Sequence, residues 1–285
     1  MGTHQQVNGN AETFWLQYVA QEMLRGFQTM LLRALLISFS NFLLIFSINL
    51  ELIFYTAGVQ SAQFTFTNNC PYTIWPATVS GGGVAQLPTT GFELPSKSSV
   101  SIEVPAQWSG RIWARSFCSN DNSGKFFCKT ADCGSGEVSC NGAGAIPPAS
   151  LAEFTLAANN GMDFYDVSLV DGFNLPLSIT PQSGSGSNCR STSCPVDLNA
   201  ICPQELAIRD DSGGAIIGCK SACLAFNQPQ FCCTGEFGSP QTCPPTIFSS
   251  YFENQCPQAY SYAYDDLTST FTCTGGPDYL ITFCS

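Results

Sequence analysis

The chain predicts a mainly β, disulfide-stapled body behind an apolar N-terminal leader. Three observations carry this reading. All sixteen cysteines lie between Cys70 and Cys284. Charged residues make up only 11% of the 285, well below the ~25% of typical globular chains. Short runs of apolar and polar residues alternate at period two between turn residues. An even, dense set of cysteines behind an apolar stretch reads as a secreted disulfide framework. The body, residues 63–285, is long enough for one large all-β domain or two smaller ones.

The leader comes first. Residues 34–50 carry no charge, and Arg25 and Arg33 precede them. Small residues close the stretch at Val59-Gln60-Ser61-Ala62. This is the layout of a signal peptide, with cleavage expected after Ser61 or Ala62. The apolar run exceeds the ~7–15 residues usual for a signal, and a polar stretch, 1–29, precedes it. Met30 would make a more ordinary start. The rival is an uncleaved anchor, since ~20 apolar residues can span a bilayer. The cysteine-rich body begins directly after the small residues, which favours removal. The expected mature protein is secreted, without a stable membrane anchor.

In the body, Phe64–Thr67 alternates and Asn68-Asn69 reads as a turn. Tyr72–Trp75 follows as a second strand ending at Pro76. Val100, Ile102 and Val104 mark a third. In the next strand Arg111, Trp113 and Arg115 share one face. Residues 116–150 are rich in glycine and cysteine with little periodicity, and predict a stapled lobe without a core. Ala152, Phe154 and Leu156 face one way, and Leu151, Glu153 and Thr155 the other. Phe164–Val170 is a further strand closed by Asp171-Gly172. Residues 198–202, 221–226 and 247–252 have helix-like spacing. Thr268–Phe283 returns to strands. No Asn-X-Ser/Thr site occurs, so no N-glycosylation is expected.

Composition excludes several chemistries. His4 is the single histidine, so the body offers no Ser-His-Asp triad, Cys-His pair or histidine-zinc site. If all cysteines pair, no thiolate is left. No metal and no cofactor are expected. The body carries 8 basic and 18 acidic groups, within a chain net charge of −11. That argues against nucleic acid and anionic membranes as partners and permits neutral polysaccharide. Cys232 and Cys233 are neighbours, whose mutual bond would strain disulfide geometry, so each should bond elsewhere. Spacing alone leaves roughly two million pairings of sixteen cysteines.

From Gly124 the chain reads G-K-F-F-C-K-T-A-D-C-G-S-G-E-V-S-C, ending at Cys140. With Phe64–Trp75, Leu151–Phe154, Asp166–Asn174, Cys256–Tyr262 and Thr282–Cys284, this resembles the thaumatin-like proteins, the fifth class of plant pathogenesis-related proteins. The resemblance covers 63–285. It implies an antiparallel β-sandwich (about 63–116, 151–194 and 257–285), a small stapled lobe (about 117–150) and a helical cysteine-rich lobe (about 195–256). It also implies eight bridges: Cys70–Cys284, Cys118–Cys128, Cys133–Cys140, Cys189–Cys273, Cys194–Cys256, Cys202–Cys219, Cys223–Cys232 and Cys233–Cys243.

The resemblance further implies an acidic cleft formed by Arg111, Glu153, Asp166, Asp171 and an aspartate of Asp265-Asp266, with Asp266 favoured. Two carboxyl groups suffice for glycoside hydrolysis, one as acid and one as base or nucleophile. Glu153, among other acids, is expected to have a raised pKa and serve as the acid. Asp171 is the expected partner carboxylate, and Arg111, Asp166, Asp265 and Asp266 the sugar-binding set. Asp166 and Asp171 are five residues apart, so Asp171 reaches the same cleft only if the Asp-Gly turn redirects it. The bland alternatives are an ion pair with Arg111, a turn-forming Asp171 and a solvated Asp265-Asp266 loop. Asp132, between cysteines, reads as structural. Trp75, Trp108, Trp113 and Phe173 offer sugar stacking but read more readily as core.

The functional expectation is a monomeric, secreted plant defence protein, in apoplast or cell wall, that binds fungal β-1,3-glucan. It either binds only or also acts as a weak endo-β-1,3-glucanase. The alternative is an interaction protein or inhibitor of foreign enzymes acting through its loops. The acidic body speaks against the basic, sweet-tasting members. With Ser285 last, no C-terminal vacuolar propeptide is expected.

Overall fold

A computed structural model describes residues 9–55, 61–157 and 161–285, with side chains in the first stretch for 20–43 only. His4 and the Val59-Gln60 half of the expected cleavage site lie outside the described residues. The chain divides into two compact units, Met1–Gly58 and Val59–Ser285. In the first, a single helix α1 (Gly9–Tyr55) takes in the polar stretch from Gly9 onward and the apolar run. Its described side chains are all exposed. Among the described residues no helix is long and apolar enough to cross a membrane.

The second unit is built on two sheets. One has the order β3 (Ser99–Val104), β1 (Ala62–Asn68), β14 (Tyr279–Phe283), β8 (Leu177–Pro181), β9 (Thr192–Cys194). The other runs β12 (Ala259–Tyr260), β7 (Met162–Ser168), β6 (Leu151–Ala157), β4 (Ser109–Asn120), β2 (Trp75–Ser80). β5 (Phe126–Thr130) extends it from β4, and β13 (Phe271–Thr274) pairs with β7. Pairing is antiparallel except for β1 with β14 and β12 with β7. Parallel neighbours need long connections, and β1 and β14 come from opposite ends of the unit. Cys70–Cys284 closes that join.

The sheets pack face to face because alternation gives each an apolar side. Phe64 of β1 lies 4.6 Å ring to ring from Phe154 of β6, and Tyr279 of β14 lies 5.2 Å from Tyr165 of β7. Ile112, Ala114, Ala152, Phe154, Leu156 and Val167 all point into this core. Each large apolar side chain buried there contributes ~1.5–3 kcal/mol.

Two local expectations are corrected. The second strand begins at Trp75 and runs through Pro76 to Ser80. β2 ends its sheet, where a missing N–H is tolerated. Residues 116–150 do build a core. β4 continues to Asn120 and pairs with β5. Ala131, Cys133, Cys140 and Ala149 then bury Trp113, Ala77 and Leu151 on the outer face of the large sheet, and Trp113 Nε1 donates to the Ala131 carbonyl at 2.9 Å. Trp113, Trp108 and Phe173 are buried, as their reading as core residues expects, and cannot stack on a ligand. Trp75 is half-buried, its ring 5.9 Å from that of Phe126.

The cysteines pair as Cys70–Cys284, Cys118–Cys128, Cys133–Cys140, Cys189–Cys273, Cys194–Cys256, Cys202–Cys219, Cys223–Cys232 and Cys233–Cys243. Four of these bridges hold the region 194–256. It contains the hairpin β10 (Ala207–Arg209) and β11 (Ile216–Cys219) and the short helices α2 (Ala222–Phe226), α3 (Pro229–Cys232) and α4 (Ile247–Gln255). Ser221 caps α2, and Thr246 and Ser249 form a reciprocal capping box on α4, satisfying N–H groups that so short a helix leaves orphaned.

Candidate functional site

Strand register assembles the charged residues. Arg111 stands opposite Glu153 across β4 and β6, and Glu153 stands opposite Asp166 across β6 and β7. Side chains so placed lie within ~4.5–5.5 Å at Cβ. The three form one row on the outer face of the large sheet. The next row toward one end is Leu151 and Ser168, and toward the other Ser109, Thr155 and Phe164.

Within the row the charges are not equivalent. Arg111 Nε donates to Glu153 Oε1 at 2.6 Å, with the two side chains 55% and 28% exposed. Asp166 receives no such bond, and its Oδ1 is buried without a partner. Burial first, then the Glu153 charge, hold the Asp166 carboxyl well above the usual carboxylate range; Arg111 offsets this only in part, and Asp266 adds to it. The guanidinium contacts Glu153, so Glu153 is the paired carboxylate of the row and Asp166 the buried, unpaired one.

Asp171 reaches the same depression. β7 ends at Ser168, and the chain turns through Leu169–Gly172, where the Gly172 N–H donates to the Leu169 carbonyl at 2.8 Å. Gly172 adopts φ +84°, and a Cβ there would lie 2.6 Å from the Cys219 carbonyl oxygen, so only glycine fits this turn. The turn breaks the strand parity. A depression of about 320 Å³ is lined jointly by Arg111, Glu153, Asp166, Ser168, Asp171 and Tyr260.

Asp265 and Asp266 diverge. Asp265 Oδ2 accepts from the Ser261 N–H at 2.9 Å and its hydroxyl at 2.7 Å. It also faces Glu253 of α4, whose carboxyl is pushed up to about 7 by burial and then by Asp265. Asp266 begins α5 (Asp266–Ser269) and accepts from the Tyr260 hydroxyl at 2.7 Å. Tyr260 lines the depression, so Asp266 supports the cleft and Asp265 the helical lobe. Tyr260 and Glu253 were not anticipated. Tyr260 lies in the Cys256–Tyr262 run, but nothing local marks it as a cleft residue. Glu253 is a lone acid in an otherwise uncharged helix.

The comparisons with known proteins agree with this architecture. Residues 68–285 match the model of the thaumatin family. Thaumatin-like protein 1 of Pyrus pyrifolia is 66% identical over 83% of this chain and 97% of its own length. A Prunus avium protein called glucan endo-1,3-beta-glucosidase is 58% identical over 80% of this chain and 92% of its own. Among solved structures, a laminaripentaose-producing β-1,3-glucanase in complex with laminaritetraose shares the fold at 12% identity, with a TM-score of 0.52 over 78% of this chain and 98% of that one. The chain belongs to the thaumatin family.

Proposed function

We propose that this is a secreted plant defence protein that binds fungal cell-wall β-1,3-glucan in the acidic cleft. The observation that carries the reading is the Arg111–Glu153–Asp166 row, with charged and hydrogen-bonding groups facing an open depression that Asp171 also lines. A neutral polyhydroxylated chain suits such a surface. Its hydroxyls can donate to Glu153 and Asp171 and accept from Arg111 and a protonated Asp166.

A second reading, weak endo-hydrolysis, is favoured by the name of the Prunus avium relative. It needs one protonated carboxyl and one ionised carboxylate. In this reading Asp166 donates the proton to the leaving oxygen, and Glu153, paired with Arg111, is the second group. Asp171 then binds sugar hydroxyls.

The test pairs glucan titration with reducing-sugar release from a linear β-1,3-glucan. Wild type is expected to bind. If hydrolysis occurs, Glu153→Gln and Asp166→Asn should abolish release while binding falls no more than about tenfold. Binding without release selects the binding module. Absence of binding overturns the glucan reading in favour of an interaction protein.

A further inference from the structure

We propose that the cleft continues along the strands as a second, hydroxyl-lined arm, so that the protein holds an internal stretch of a neutral glucan chain with the charged row beneath its middle. This rests on the glucan reading above and specifies how the chain lies. The row Arg111–Glu153–Asp166 is not the end of the depression. On its far side, away from Asp171 and Tyr260, lies a groove of about 630 Å³ that shares these same three residues. Together the two depressions fall in the size range of well-formed ligand sites, ~300–1,000 Å³. Their floors are successive rows of one sheet face. Rows two residues apart along a strand are ~6.6 Å apart, so the path from Ser168 through Asp166 to Phe164 covers ~13 Å.

The chemistry of the arm points to its occupant. Beyond the shared charged row, none of its lining residues is charged. Ser109 and Thr155 stand opposite each other, with their hydroxyls 3.2 Å apart. One donates to the other, which leaves one O–H and several lone pairs for a ligand. Half-buried Phe164 supplies an apolar surface beside them. At Gly82, which lines the groove, a Cβ would meet nothing within 4 Å, so the groove is open at this edge. Hydroxyls, one aromatic edge and no charge fit neutral sugar units rather than an ionic group. Open space on both sides of the charged row fits the interior of a chain rather than its end.

The experiment is isothermal titration of the protein with the trimer and the hexamer of β-1,3-linked glucose. The wild type should bind the hexamer about tenfold more tightly than the trimer, a gain of ~1.4 kcal/mol. Thr155→Leu, which removes the exposed hydroxyl and fills the arm, should bring the hexamer down to the trimer's affinity and leave the trimer unchanged. Thr155→Val, which removes the hydroxyl but keeps the shape, should lose only part of the gain. A melting temperature unchanged in both variants separates lost binding from lost folding. Equal wild-type affinity for the two oligomers would overturn the arm while leaving the glucan reading standing. So would a Thr155→Leu variant that weakens trimer and hexamer alike. Failure of the wild type to bind either oligomer would overturn the glucan reading, and the arm with it.

Discussion

The outer face of the large sheet has an open end and a covered end, and β4 carries an arginine in each. Arg111 and Arg115 are four residues apart and point to the same side. Arg111 is more than half exposed and pairs with Glu153. Arg115 is wholly buried. It donates to the carbonyls of Trp75, Glu137 and Val138 and lies 5.4 Å over the Phe126 ring. Among the described residues no carboxylate bonds it, and burial pushes its guanidinium down to about 10, with Asp132 opposing. One residue type on one strand face thus serves as a solvent-facing charge and as an internal clamp. The difference is the cover that residues 131–149 lay over Trp113 and Leu151. Charge in this protein acquires its role from what lies above it.

Reduction of the disulfides gives the largest expected effect and tests the cover itself. Each bridge contributes ~2–4 kcal/mol, not additively, against a net stability of ~5–15 kcal/mol. Full reduction should unfold the body at moderate temperature, as read by circular dichroism. Thiol titration of the denatured, unreduced body should find none free, consistent with eight bridges. A folded reduced body would show that packing alone holds the small lobe over the sheet.

The two arginines separate next. Arg115→Met leaves several buried carbonyls without donors and should cost about 3–5 kcal/mol in denaturant unfolding. Arg111→Met breaks an exposed pair and should cost under ~1 kcal/mol, while weakening glucan binding. Equal losses of stability would erase the distinction between the two ends.

The smallest effect sharpens the open end. Asp166 has a folded pKa raised above its unfolded value of ~3.9. Its contribution to stability is therefore fully present below about pH 4 and is lost as pH rises through the folded pKa. Glu253 acts in the same sense, over the window from its unfolded ~4.3 to about 7. The wild-type melting temperature should fall across this range. Asp166→Asn should flatten the part due to the charged row, and Glu253→Gln the part ending near pH 7. Parallel profiles for wild type and Asp166→Asn would mean that Asp166 does not hold the proton.

Much was legible along the chain because strand parity is a local property. Alternation alone places Ala152, Phe154 and Leu156 on one face and Glu153 and Thr155 on the other, and it puts Arg111, Trp113 and Arg115 together. The cysteines and the histidine-free body confine the chemistry to carboxylates, hydroxyls and a few cations. The row Arg111–Glu153–Asp166 was reachable through the resemblance, since no local pattern states which strands become neighbours.

Tertiary structure decided the rest, because it depends on residues far apart in sequence. Cover from residues 131–149 makes Arg115 a clamp and leaves Arg111 exposed and paired with Glu153. The Arg111 contact makes Glu153 the paired carboxylate and leaves Asp166 buried without a partner. The close approach of Cys219 to Gly172 enforces the turn that brings Asp171 into the cleft, and Tyr260 distinguishes Asp266 from Asp265. Period-two patterning says which way a side chain points. Whether water, protein or ligand lies above it is settled by chain segments that the pattern cannot see.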